Sequence, residues 1–228
     1  MKGKLLFILI IFLSLHVFAQ KGSGFIALSS GLSIPIADYA SGDLDKGSFT
    51  TLGMNVSVEG AWFLTKHYGV GGQFGYQLHS VNASALATAK VIADPFLSDL
   101  TIRSDPFRVL HATAGIYGRW AIGKKFSVTG KLLGGVLWAK TPYQLYKPTY
   151  FLTGPDYYEI TSSRDHKFFI EPGIGIQYKI ASCLALKADT ELISRKMQFG
   201  FNTWNGLRYD NKQISFINTL VALVILFR

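Results

Sequence analysis

Glu171-Pro-Gly-Ile-Gly-Ile-Gln-Tyr-Lys-Ile180, followed after a short turn by Leu184-Ala-Leu-Lys-Ala-Asp-Thr-Glu-Leu192, decides how this chain folds. The first stretch alternates: Ile170, Pro172, Ile174, Ile176, Tyr178 and Ile180 fall on one parity, and Glu171, Gly173, Gly175, Gln177 and Lys179 on the other. The second sets Leu184, Leu186, Ala188, Thr190 and Leu192 against Ala185, Lys187, Asp189 and Glu191. Successive side chains of a strand point to opposite faces, so period two means strands with one apolar face and one face of glycines, polar groups and charges.

The same pattern extends outward through the chain. Leu52, Met54, Val56, Val58 and Trp62 oppose Gly53, Asn55, Ser57, Glu59 and Ala61, and Val70, Phe74, Tyr76 and Leu78 oppose Gly71, Gln73, Gly75, Gln77 and His79. Leu110, Ala112, Ala114, Ile116 and Trp120 oppose His111, Thr113, Gly115, Tyr117 and Arg119. Read this way, the chain predicts eight strands, over residues 24–35, 49–64, 68–80, 107–122, 125–139, 167–180, 183–196 and 213–227. Tight connections at 65–67, 123–124 and 181–182 alternate with long ones at 36–48, 81–106, 140–166 and 197–212. That is the wiring of an all-β, eight-stranded antiparallel transmembrane barrel, with short periplasmic turns and long extracellular loops.

Glycine decides which face points inward. Eight strands enclose a space barely wide enough for side chains, so glycines interleaved with long charged groups suit an interior, whereas on a water-facing exterior they weaken strands without benefit. A soluble barrel with its apolar face inside is the competing reading. Trp62, Tyr68, Trp120, Phe126 and Tyr178 gather beside the three tight turns, and Phe227 ends the last strand at that same end; together they read as a periplasmic aromatic girdle. The last strand is apolar on both faces near its end, so its facing stays open.

The N-terminus predicts export. Lys2 and Lys4 precede an apolar run from Leu5 to Leu15 and a small-residue site at Val17, Phe18 and Ala19, which is the layout of a signal peptide, 1–19, cleaved to leave a single barrel domain, 20–228. The run is shorter than the roughly 20 residues of a spanning helix. No cysteine follows it to accept a lipid, and Cys183, the sole cysteine, receives no role. Beyond it the longest purely apolar run is Leu220 to Phe227, so any crossing of a membrane is by strands. A charged fraction of 16%, aromatics at 14% and 23 glycines carry the bias of a membrane barrel. The formal charge of +9 is spread singly along the chain, which, with the export signal, argues against nucleic acid and suits anionic lipid headgroups and lipopolysaccharide.

With these strands and turns, the chain resembles the small outer-membrane barrel domains of Gram-negative bacteria, of the OmpA, OmpX and PorT-like kinds. The hairpin 171–192 looks like the penultimate hairpin of such proteins. The resemblance implies residence in the cell outer membrane and insertion by the barrel-assembly machinery, which recognises a terminal aromatic; here Phe227 stands one residue before Arg228.

Chemistry is sparser. Glu59, Arg119, Lys131, Glu171, Lys187, Asp189 and Glu191 fall on inward faces and, confined there, must pair, because an unpaired buried charge costs several kcal/mol. Such a network predicts a plugged, non-enzymatic barrel with a structural or loop-mediated role; a narrow ion or small-solute channel is one alternative. A lipid A-modifying enzyme is another, for which the hints are His79-Ser80 near the outer rim and Asp94, Asp99 and Asp105 in the following loop, although neighbours on a strand point to opposite faces. No metal-ligand spacing is visible and nothing calls for a cofactor. The third long loop carries Tyr143, Tyr146, Tyr150, Phe151, Tyr157 and Tyr158, a density suited to gripping an extracellular ligand or protein, or to packing on itself. In the second loop, residues 84–92 predict one or two helical turns before Pro95.

Overall fold

The computed structural model describes residues 23–203 and 206–227, so the expected signal peptide, 1–19, and Arg228 lie outside the described residues. In chain order the elements are β1 (Ser23–Pro35), a 3-10 turn (Ala37–Tyr39), β2 (Thr50–Phe63), β3 (Tyr68–Val81), α1 (Ala83–Ala93), β4 (Leu97–Ser104) and β5 (Phe107–Ile122). They continue with β6 (Phe126–Lys140), β7 (Gln144–Tyr150), β8 (Tyr158–Ile160), β9 (Arg164–Lys179), β10 (Leu184–Thr203) and β11 (Gly206–Phe227). Eight strands close into one antiparallel barrel in the order β1-β11-β10-β9-β6-β5-β3-β2, while β4, β7 and β8 form a separate three-stranded sheet.

Closure satisfies every edge of the barrel wall, which is what allows strands to stand in hydrocarbon. The outer surface is the apolar parity: Ile174 is 62% exposed and Ile176 57%, whereas Gln177 is 5% and Glu171 0% exposed. The turns at the opposite end from the loops are short, and the one between β5 and β6 runs through Gly123 at φ 76°, a left-handed conformation that glycine adopts without a Cβ penalty.

The last strand is now assigned. Leu220, Ala222 and Val224 point inward, directly opposite Gly31, Ser29 and Ala27 of β1, while Val221, Leu223 and Ile225 face out. Both parities are apolar because the small inward residues of β1 leave room there for apolar packing.

Three expectations need correction. Residues 197–212 are not a long loop; β10 and β11 stay paired from Leu184↔Ile225 out to Thr203↔Gly206, so the hairpin projects well past the other strands. Residues 81–106 and 140–166, expected as loops, carry strands of their own. β4 from one pairs with β7 and β8 from the other, and α1, capped by the Asn82 side chain accepting from the Ala85 N–H at 3.0 Å, lies against β4. Finally, the barrel interior is not polar throughout. It is layered, with apolar clusters at both ends and the charges between them.

Candidate functional site

The middle layer is built where β2, β6 and β10 place long side chains on the inward parity. Lys131 Nζ donates to Glu191 Oε1 at 2.6 Å, to Gln73 Oε1 at 2.7 Å and to Glu59 Oε2 at 2.9 Å. Lys187 pairs with Glu59 and, at 2.6 Å, with Asp189. Glu59 therefore bridges both lysines from across the barrel. Gln73 Nε2 and Asn218 Nδ2 donate to the two oxygens of Glu191, at 3.0 and 3.3 Å. Glycine makes the space: a Cβ on Gly175 would overlap the Asp189 carboxylate, and one on Gly173 would lie 2.8 Å from Lys131 Cε.

Glu171 and Arg119 form no ion pair with the lysines or their partners, although Glu171 lies beside Glu191. Glu171 accepts from the Thr113 hydroxyl at 3.2 Å and lies 3.7 Å from His111 Nε2, so its nearest basic neighbour is an imidazole that the sequence reading gave no role. Arg119 is outside the network: its guanidinium lies 4.0 Å above the Phe63 ring and donates to Ser23 Oγ at 2.7 Å, at the end near the tight turns. Arg119 pairs in register with Thr129, two residues nearer the turn than Lys131, and the side chain it meets there is the Phe63 ring.

Above and below, the lumen is filled. Toward the turns Phe25, Phe63, Tyr117, Leu133, Ala222 and Val224 pack together. Toward the loops Phe107, Leu137, Phe169, Ile193, Met197 and Phe216 do the same, and Tyr39, fully buried, is inserted into them from the first loop. Its hydroxyl lies 3.4 Å from His79 Nδ1, and Thr50 donates to its carbonyl. His79 also contacts Ser33 Oγ at 2.9 Å inside the barrel, whereas Ser80 is exposed on the opposite face, so the two form no catalytic pair.

Trp62, Tyr68, Trp120, Phe126 and Phe227 all present exposed rings at the end of the short turns. Tyr68 meets Trp120 edge to face at 6.1 Å, and the half-buried Tyr178 packs on Phe126 at 4.9 Å.

The loop tyrosines divide. Tyr146 is buried and stacks on Tyr158 at 4.6 Å with rings 8° from parallel, and Lys90 lies 5.4 Å above it. Burial pushes both phenols above their ordinary value. With Phe49, Leu86, Leu97, Leu100 and Ile102, and with Tyr150 at the margin, they form the core of a cap over the barrel mouth. Tyr143, Tyr157 and Phe151 stay exposed. Between cap and hairpin lies a cavity of about 230 Å³ walled by Phe49, Leu86, Phe107, Ile160 and Phe199, with Lys90, Asp210 and Lys212 at its polar side. The sequence reading missed this site, since it is assembled from four separate connections. Among the described residues, no group of three or more His, Cys, Asp or Glu is placed to hold a metal ion.

No family model and no curated protein matches the sequence. Solved structures do match in fold. The outer membrane protein OprG from Pseudomonas aeruginosa is similar over 92% of this chain and 97% of its own, with a TM-score of 0.51 at 10% identity. The attachment invasion locus protein Ail of Yersinia pestis aligns over 91% of this chain and 100% of its own, with a TM-score of 0.49 at 15% identity. A closed antiparallel ring with an apolar exterior, aromatic rings at its short-turn end and the likeness to OprG lead to one conclusion: the chain has the fold of the small eight-stranded outer-membrane β-barrels.

Proposed function

We propose that the chain is exported, loses residues 1–19, and works in the outer membrane as a plugged, non-enzymatic barrel that acts through its extracellular cap. The observation that carries this reading is the filled lumen. An ionic layer held by Lys131 and Lys187 is sealed between two apolar clusters, and Tyr39 closes the loop end. A solute path would have to break buried ion pairs and displace packed rings together. The exposed Tyr143, Phe151 and Tyr157 and the cap cavity are then the surfaces left for an extracellular ligand or protein. Phe227, outward at the end of β11, is the residue offered to the barrel-assembly machinery.

The test is conductance. Purified protein in planar bilayers is expected to give no stable step, and steady conduction at the nanosiemens level would replace this reading with a channel. N-terminal sequencing of the protein recovered from outer membranes is expected to begin at Gln20.

A further inference from the structure

The outer wall carries a second charged feature, unrelated to the lumen. Arg108 of β5 pairs in register with Lys140 of β6, and Lys140 pairs in turn with Arg164 of β9. All three lie on the outward parity, at the loop end of adjacent strands. Neighbouring strands are about 4.8 Å apart, so three cations stand in a row about 10 Å long. Like charges directly opposite across strands repel. None of the three side chains has a carboxylate within ion-pair distance or a hydrogen-bond partner among the described residues. Asp165 lies beside Arg164 and lines the same groove, but both its carboxylate oxygens are taken, accepting from the backbone N–H of His166 at 2.8 Å and of Gln198 at 2.7 Å, and it ion-pairs with none of the three.

One register step toward the membrane, Leu110 stands opposite Trp138 and Trp138 opposite His166, with Tyr76 of β3 opposite Leu110. Tyr76 and Trp138 flank Leu110 at the loop end, and a shallow groove of about 570 Å³ opens among them, Arg108, Lys140 and Arg164, with Asp165 and His166 also on its wall. Below, the small or short side chains of Ala112, Ala114, Gly134 and Val136 lie between the exposed rings of Phe74 and Phe168. Uncompensated cations at headgroup depth, with aromatic rings and a low apolar strip directly beneath, match a ligand that is anionic at one end and acylated at the other.

Resting on the outer-membrane reading above, we infer that Arg108, Lys140 and Arg164 bind the phosphates of one lipid A molecule of the outer leaflet, with an acyl chain lying along the strip below Trp138. A row this long exceeds what a single phosphate spans, which favours a headgroup carrying two.

The test uses the full mature chain folded in phosphatidylcholine nanodiscs with a small fraction of lipid A, released into detergent and weighed by native mass spectrometry. The wild-type barrel is expected to retain one lipid A, and the R108Q/K140Q/R164Q variant about tenfold less or lower still. A charge-matched K66Q/K124Q/K125Q variant, altered at the opposite end, is expected to retain it. Folding of each is scored beforehand by heat-modifiable gel migration in phosphatidylcholine alone, and single R164Q serves, with a partial loss expected, if the triple variant does not fold. Equal retention by wild type and R108Q/K140Q/R164Q, equal loss in the K66Q/K124Q/K125Q variant, or equal retention of phosphatidylglycerol overturns the site. So does displacement of lipid A by millimolar inorganic phosphate. Failure of the wild type to insert into phosphatidylcholine would overturn the barrel reading itself, which separates the two.

Discussion

The barrel wall and the cap above it bury similar side chains by opposite rules. In the wall the apolar parity faces out and the interior must accommodate whatever the other parity brings, so Lys131, Lys187, Glu59, Asp189 and Glu191 are buried and held by one another, with Gln73 and Asn218 completing the network. The cap is assembled as water-soluble proteins are: Phe49, Leu86, Leu97, Leu100, Ile102 and Tyr146 face inward around a helix and a three-stranded sheet. Hydrogen bonding of a closed ring stabilises the wall even with charges in its middle, whereas the cap depends on apolar burial between segments far apart in sequence. The two regions should therefore fail separately and by different kinds of substitution.

The largest effect is expected inside the wall. Glu59→Gln removes the carboxylate that hydrogen-bonds both lysines, Asp189 reaching Lys131 only at 3.9 Å, and should cost about 3 to 5 kcal/mol, read as a lowered urea midpoint of the barrel in lipid vesicles. Glu171→Gln deprives no lysine of its partner, since Glu171 faces Thr113 and His111, and should cost clearly less. Equal losses would mean that the middle layer acts as one diffuse charge field and not as discrete pairs.

Next comes the outer face. Ile174→Arg puts a charge against hydrocarbon and should cost about 2 to 4 kcal/mol if it lies at the midplane, whereas the inward Gln177→Arg should be tolerated better. Folding yield in vesicles measures both, and equal yields would reverse the facing.

In the cap, Leu100→Ala should loosen the packing against α1 and Tyr146 by about 2 to 3 kcal/mol. The expected readout is local: faster proteolysis within residues 81–106 and 140–166, with the unfolding midpoint of the barrel unchanged. A matching fall in that midpoint would show that cap and wall unfold as one unit.

Smallest of all, Tyr158→Ala should remove the stacking on Tyr146 at about 0.5 to 1.5 kcal/mol beyond its lost area. Hydrogen exchange across β7 and β8 should rise slightly while β9 stays protected.

Period two in the sequence determined the eight wall strands, the short turns and the outward face, because in a barrel each strand's parity is set locally by lipid on one side. It also placed Glu59, Lys131, Lys187, Asp189 and Glu191 on a common interior. Which of them pair, that Arg119 drops out, and that His111 stands beside Glu171 depended on height along strands that meet only after closure. The continuous hairpin of β10 and β11 was hidden because Phe199, Gly200 and Phe201, and Arg208 to Asp210, lie beyond the membrane and lose the apolar-out alternation. The cap was illegible for a related reason. Its core joins Phe49, Leu86, Leu100 and Tyr146 from three loops, and no local period encodes a pairing such as Ile102 with Tyr146, which forms only once the barrel has brought those loops to one end.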